Sequence, residues 1–394
     1  MNATIDAGLK NRLNRIAVSL YFFIPGFVFG SWAGRIVFFK EKFNLSEEQL
    51  GFLLLALPVG SLSGLPFSGW AVKKFGSKKM ITFASFGYPL MLLFIGFSQS
   101  VSMLATSLVI FGFMGNITNI SNNTQAVGVE NNYGRSIMSS FHGVWSLAGF
   151  ASAGVSFLMV SLGFEPKIHF IIVAILVWGI MLYYNKNLLE QDINNFDSSE
   201  ASEINKKKTG SLFTNKNIIV LGLIAFGCMC CEGTMFEWSA IYFKTIVQVP
   251  ENLAIIGYAS FMCTMAIGRF ISDGIITKYG KKTVMRICGL LVAFGLTIAV
   301  SFPYFPTAML GFFFVGFGVS SVVPTVYSIA GKTKNVNASI AMAAVSSIGF
   351  LGFVLGPPII GFIAEASSLR WSFATIGLLG IMTSFLSQKI ESNN

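Results

Sequence analysis

Hydrophobic residues run along this chain in long blocks separated by short polar breaks. A helix needs about 20 mostly apolar residues to cross about 30 Å of hydrocarbon, because lipid offers no partner for an unpaired backbone group. Twelve windows qualify. In the first half they are Ile16–Phe39, Leu50–Val72, Met80–Phe97, Met103–Val127, Ile137–Leu162 and Ile168–Tyr184. After a polar interruption come Ile218–Phe243, Leu253–Thr277, Thr283–Phe302, Ala308–Ala330, Ala338–Ala364 and Trp371–Leu386. The pattern predicts an all-α membrane protein with 12 transmembrane helices. The interruption, Asn187–Asn217, is rich in Asn, Ser, Lys and acids and has nothing to bury, so it reads as a solvated linker. Residues 1–186 and 218–394 are then two six-helix halves joined by 187–217.

Composition narrows the class. Of 394 residues 54% are hydrophobic and 11% charged, against roughly 25% charged in soluble domains. Soluble enzymes, disordered chains and disulfide-stapled folds are excluded. The net charge of +10 is explained without nucleic acid once the basic residues are placed. Twenty of the 27 Lys and Arg fall in the termini and alternate loops of one side and five on the other, with Arg35 and Arg269 inside windows. By the positive-inside rule both termini are expected in the cytoplasm. Lys10, Arg12 and Arg15 precede the first window as they would a signal peptide, but that window is too long and no small-residue cleavage site follows. Cys228, Cys230, Cys231, Cys263 and Cys288 all lie in apolar stretches, as small packing residues, and no ligand spacing for a metal accompanies them.

The halves repeat. Phe29-Gly30-Ser31-Trp32 returns as Phe236-Glu237-Trp238-Ser239 at an offset of 206, and Lys74-Phe75-Gly76-Ser77-Lys78-Lys79 as Lys278-Tyr279-Gly280-Lys281-Lys282 at 204. Gly112-Phe113 matches Gly316-Phe317 at 204, and Gly149-Phe150 matches Gly349-Phe350 at 200. Six spans per half make the repeats parallel.

On these residues the chain resembles the major facilitator superfamily over its whole length. Gly69-Trp70-Ala71-Val72-Lys73-Lys74-Phe75-Gly76-Ser77-Lys78-Lys79 resembles that family's cytoplasmic motif between helices 2 and 3, with Lys73 where the family usually has Asp. In the second half Gly268, Arg269 and Asp273 precede Lys278, and Asp273 offers an acid there. The resemblance assigns Gly69, Lys73, Gly76, Lys78, Arg269 and Asp273 to conformational latching, with Glu130 and Arg135 in a similar part. Ser31-Trp32-Ala33-Gly34-Arg35, Asn122-Asn123-Thr124-Gln125 and Ser139-Ser140-Phe141-His142 are most similar to the branch containing fucose permease. The fold implied is two pseudo-symmetric six-helix bundles about an axis normal to the membrane, working by alternating access at a midplane site. Pro25, Pro58, Pro66, Pro89, Pro324, Pro357 and Pro358 would bend helices in such a fold.

Ionised groups at a helix centre cost about 2.5–3.5 kcal/mol on insertion scales, so each needs a reason. Glu232, deep in the seventh window, is the first candidate for a proton-carrying site; the bland reading is a neutral carboxyl bonded to a neighbouring helix. Arg35 and Glu237 lie toward the outer ends of the first and seventh windows, where they would form a gate pair, bind a substrate group, or snorkel. Arg269 and Asp273 stand four apart, spaced for an intrahelical pair. Asn116, Asn119 and Asn123 share a helical face within about 60°, flanked by Asn122 and Gln125; they line a cavity or bond between helices. In the fucose permease branch an acid on helix 4 serves proton coupling and Asn119 stands in its place, which argues against coupling there. His142 is a proton relay or a satisfied core residue. Trp32, Trp145 and Trp238 would stack on a solute or mark the interface, and Ser320, Ser321 and Tyr327 offer cavity hydroxyls.

The function expected is secondary transport of a small polar organic solute, a sugar or sugar derivative, by proton-coupled uptake across a bacterial-type inner membrane. An efflux antiporter and a non-transporting sensor or scaffold are the alternatives; helix 5 lacks the Gly-Pro motif of the family's drug antiporters, and no soluble domain is present. No phosphate-cradling loop for ATP exists. The partners expected are solute, protons and bilayer, for a monomer without cofactor, metal, enzymatic activity or nucleic acid.

Overall fold

The computed structural model describes residues 2–133, 137–190, 215–333 and 338–390, with side chains from residue 8 onward except at 338 and 339. Arg135 and most of the linker, with its acids Asp192, Asp197, Glu200 and Glu203, lie outside the described residues. Among the described residues there is no strand. Twelve helices among these residues are long and apolar enough to cross a membrane: α1 Gly8–Lys42, α2 Glu47–Phe75, α3 Ser77–Gly96, α4 Val101–Tyr133, α5 Met138–Ser161, α6 Pro166–Asn187, α7 Lys216–Thr245, α8 Glu251–Tyr279, α9 Lys281–Ser301, α10 Phe305–Ala330, α11 Ile340–Ala366 and α12 Leu369–Gln388.

The chain divides into two compact units, Met1–Phe43 with Ala56–Phe196, and Asn44–Leu55 with Asp197–Asn394. In the first, α1 packs chiefly on α5, and α3 on α4 and α6. In the second, α7 packs on α11, and α9 on α10 and α12. The same pairings recur, as a parallel duplication requires. In the stretch 44–55, the backbone N–H groups of Glu47 and Glu48 donate to the Glu365 carboxylate, at 3.0 and 3.4 Å, within the second unit.

The duplication reaches individual atoms. Gly76 and Gly280 both sit at φ near +80° and ψ near 150° (φ 85, ψ 149 and φ 80, ψ 153), a region that is essentially glycine's. Each turns the chain from one long helix into the next. Gly76 N–H bonds Val72 O and Gly280 N–H bonds Ile276 O, positions again 204 apart. At the crossing of α2 and α4 a Cβ on Gly112 would lie 2.0 Å from Leu57 O; at the crossing of α8 and α10 one on Gly316 would lie 2.3 Å from Phe261 O. Leu57 and Phe261 are also 204 apart. Backbones this close leave room for no side chain.

Proline acts as its chemistry dictates. Pro25, Pro58, Pro66, Pro89, Pro357 and Pro358 lie inside continuous helices. Pro324 has no N–H for the Ser320 carbonyl, and α10 breaks at Ser321. The break in α1, at Gly34 and Arg35, has no proline nearby.

Gly112→Ala and Gly316→Ala are each expected to destabilise the detergent-solubilised protein by about 1–3 kcal/mol, the usual penalty for overpacking. Gly154→Ala, inside α5 with nothing within 4 Å of the added carbon, should leave the unfolding midpoint unchanged or raise it slightly, alanine being the better helix former. Equal midpoints for all three would contradict the close approach.

Candidate functional site

Helix α7 is the core of the second unit: 83% of its apolar window is buried, against 33% for α6. Glu232 lies in its middle, 7% exposed, so its carboxyl must find a partner inside protein. The partner is Arg269 of α8. Its Nη2 stands 3.8 Å from Glu232 Oε1, an ion pair longer than a direct hydrogen bond. The sequence spacing pointed Arg269 along its own helix to Asp273; in the structure the guanidinium reaches across to α7, while Asp273 is exposed. Ten residues separate Arg269 from the end of α8 at Tyr279, about 15 Å of helix, so the long side chain holds its charge at depth.

Further groups converge on this pair. Tyr327, half-buried after the α10 break, lies near Glu232 and near Ser346 of α11. Cys228, one turn from Glu232, bonds Val319 O at 3.7 Å, and Cys288 lies 3.3 Å from Ser321 Oγ. Beside them is a cavity of about 10 Å³ lined by Cys228, Cys231, Val292, Val319, Val322 and Thr383, about enough for one water. The second unit thus places an acid, a base and hydroxyls near one another in its interior. Such an arrangement can exchange a partner of the carboxyl for a proton, or a partner of the guanidinium for a solute acceptor.

Glu237, five residues on, projects about 140° from Glu232 around α7. It is buried, and its Oε2 has no hydrogen-bond partner. Trp238 and its repeat mate Trp32 are both fully buried with unpartnered indole N–H groups, so neither offers a ring face to solvent. Arg35 of the first unit does not snorkel. It is 2% exposed, its Nε donates to His169 Nδ1 at 3.2 Å, and its Nη2 donates to Phe164 O at 2.8 Å. His169 escaped the sequence reading because 134 residues separate the partners; the usable signal was its rarity, one of two histidines, buried in an apolar window.

The amide stripe of α4 divides. Asn116 accepts from Ser68 Oγ at 2.8 Å and donates to Ser61 Oγ at 3.4 Å, both on α2. It packs on Gly64, as Ser320 packs on Gly268 at the repeat-equivalent crossing. Asn122 donates to Tyr21 O, and Gln125 exchanges hydrogen bonds with Leu189 and donates to Ser77. These three residues bind helices together. Asn119 is exposed, with the half-buried Asn123 donating to it at 2.8 Å. His142 meets the Phe22 ring edge-on at 5.3 Å, and Trp145 is half-buried one turn on.

Of the residues that the resemblance assigns to latching, Arg269 is the one drawn inward, to Glu232. Gly69 has open space around it, Lys73 is exposed, and Lys78 pairs with Glu190. Glu130 accepts from the N–H groups of Ile137 and Met138, at 2.7 and 2.8 Å, and so caps α5.

The family model described as Major Facilitator Superfamily matches residues 17–277 and 247–388. The chain belongs to this superfamily. An uncharacterized MFS-type transporter of Yersinia pestis is 33% identical, covering 93% of this chain and 92% of its own. Among solved structures, the nucleoside transporter NupG superimposes with a TM-score of 0.72 at 15% identity, over 96% of this chain and 98% of that one. A D-xylose-proton symporter does so with 0.74 at 14%, over 95% and 96%. The superfamily fold, a multi-pass membrane location and a transporter's rather than an enzyme's role follow.

Because Arg269→Leu strands a buried carboxyl, it is expected to cost about 3–5 kcal/mol of stability, and Glu232→Gln in the same chain to recover most of it. Chemical denaturation of the single and double variants measures the coupling. Strictly additive losses would show that the two side chains do not interact.

Proposed function

We propose that this superfamily member is a proton-coupled importer of a small polar organic solute, with Glu232 as the proton carrier. The buried Glu232–Arg269 pair carries the reading. A proton on Glu232 removes its attraction for Arg269 and frees guanidinium N–H groups for an oxygen of the solute; loss of the proton restores the pair and expels that oxygen. Solute and proton then travel together because each makes the other's binding cheaper. Tyr327 and the Asn119–Asn123 pair supply further hydrogen bonds suited to hydroxyl-rich solutes. That fits a sugar or sugar derivative and the fucose permease-like runs at Ser31–Arg35 and Ser139–His142. Nucleoside and xylose transport, named for the superimposed structures, concern solutes of this polarity. Both termini on the cytoplasmic side of an inner membrane, and action as a monomer, complete the proposal. Glu237 and His142 are secondary candidates for proton movement.

Proteoliposomes screened with sugars and nucleosides test it. The wild type should accumulate its solute under an inward proton gradient and lose accumulation with a protonophore. Glu232→Gln should abolish gradient-driven accumulation while keeping solute exchange between the two sides. Full accumulation by Glu232→Gln would remove Glu232 from the mechanism.

A further inference from the structure

The first unit holds a second titratable contact, independent of Glu232. α1 runs as helix to Ala33, breaks at Gly34 and Arg35, and resumes at Ile36. At the break Arg35 takes φ −121° and ψ 3°, the sparsely populated bridge region. The broken end is held to α6 and the turn before it: Arg35 Nε donates to His169 Nδ1 on α6, and Nη2 donates to Phe164 O in the turn. A guanidinium has no acceptor. Nδ1 must therefore be the bare nitrogen of a neutral imidazole, and the ring proton must sit on Nε2. That Nε2 is buried without a hydrogen-bond partner, on a fully buried ring, so it plays no part in fixing the tautomer. Arg35 alone fixes it.

A second proton has one place to go, Nδ1. Once there it would face the Arg35 N–H, donor against donor and cation against cation. The protonated ring and the docked α1 break are mutually exclusive. Arg35 is the charged group acting on His169. On α6 itself Glu165 and Lys167 pair with each other at 2.8 Å and are exposed. The Lys167 partner holds the Glu165 carboxyl below its ordinary range. On α1, Lys42 donates to Ser98 O, and Lys40 and Glu41 lie beyond the break. On α3 the charged residues, Lys78 and Lys79, are at the opposite end of the helix, and Tyr88 stacks on Phe111.

We propose that His169 and Arg35 form a proton-operated catch: neutral His169 positions Arg35 and pins the broken end of α1 to α6, and protonation of His169 releases it. His169 is a positioning residue, acting through Arg35. In a transporter the catch would couple external acidity to the freedom of α1, but it stands or falls without reference to any solute.

The test uses the full-length protein in lipid nanodiscs with pH as the only probe. In His142→Gln protein labelled with 15N-histidine, His169 is the single histidine observed. At pH 8 it should show one protonated and one bare ring nitrogen, and on acidification both should become protonated. Over the same pH range, amide exchange of residues 34–42 in the wild type should accelerate about tenfold or more beyond the intrinsic change, the loss of a hydrogen bond to a charged group. His169→Gln, whose amide oxygen can accept from Arg35 but takes no proton, should keep exchange slow at every pH. The catch is overturned if His169 protonates while exchange of 34–42 stays flat, if exchange changes while His169 remains neutral, or if His169→Gln keeps the wild-type pH dependence.

Discussion

Inside a lipid-embedded helix bundle a polar group left without a partner is costly, so a charge is kept there chiefly where the protein supplies one. Most of what distinguishes this molecule follows from how its buried charged and amide groups meet that demand. Glu232 answers it with Arg269 across two helices. Arg35 answers it with an imidazole nitrogen and a carbonyl at the one place where its helix breaks. Asn116, Asn122 and Gln125 answer it by tying α4 to α1, α2 and α3. A buried charge with a partner 3.8 Å away, rather than a tight hydrogen bond, is the arrangement best able to change partners, and this is why the second unit carries the functional reading.

The duplicated scaffold and the unduplicated charges divide the work. Backbone devices are shared by the units: the turn glycines Gly76 and Gly280, the crossing glycines Gly112 and Gly316, and the buried indoles Trp32 and Trp238. The charges are not. At the offsets of the repeat, Glu232 corresponds to Gly26 and Arg269 to Leu65, while Arg35 corresponds to Ile241. Two like frames thus carry an acid–base pair in one and a base–imidazole contact in the other. A sequence can diverge at such positions without disturbing the fold, because helix crossings are set by glycine and backbone contact elsewhere.

The fold was legible because its signals are local or periodic. Span length, loop charge and the repeat each follow from residues close together in sequence, and the twelve windows coincide with α1 to α12. The break in α10 was foreshadowed by Pro324; the break in α1 had no such marker and lies where Arg35 makes its tertiary contacts. The candidate site was legible only in part. Glu232 stood out as an acid in an apolar run, but its partner was hidden, since a spacing of four pointed Arg269 to Asp273 and nothing local could show that α7 lies within reach. The Asn stripe shared one face by arithmetic, yet Asn116 faces α2 and Asn119 is exposed, a difference set by neighbours that helical periodicity does not contain.

The central claim is that Glu232 titrates within the bundle by exchanging Arg269 for a proton. Infrared difference spectroscopy of the protein in lipid, stepped between acidic and alkaline pH, observes this without a solute. A carboxylic C=O stretching band should emerge on acidification in the wild type and vanish from the difference spectrum of Glu232→Gln. A spectrum that Glu232→Gln leaves unchanged would contradict the account.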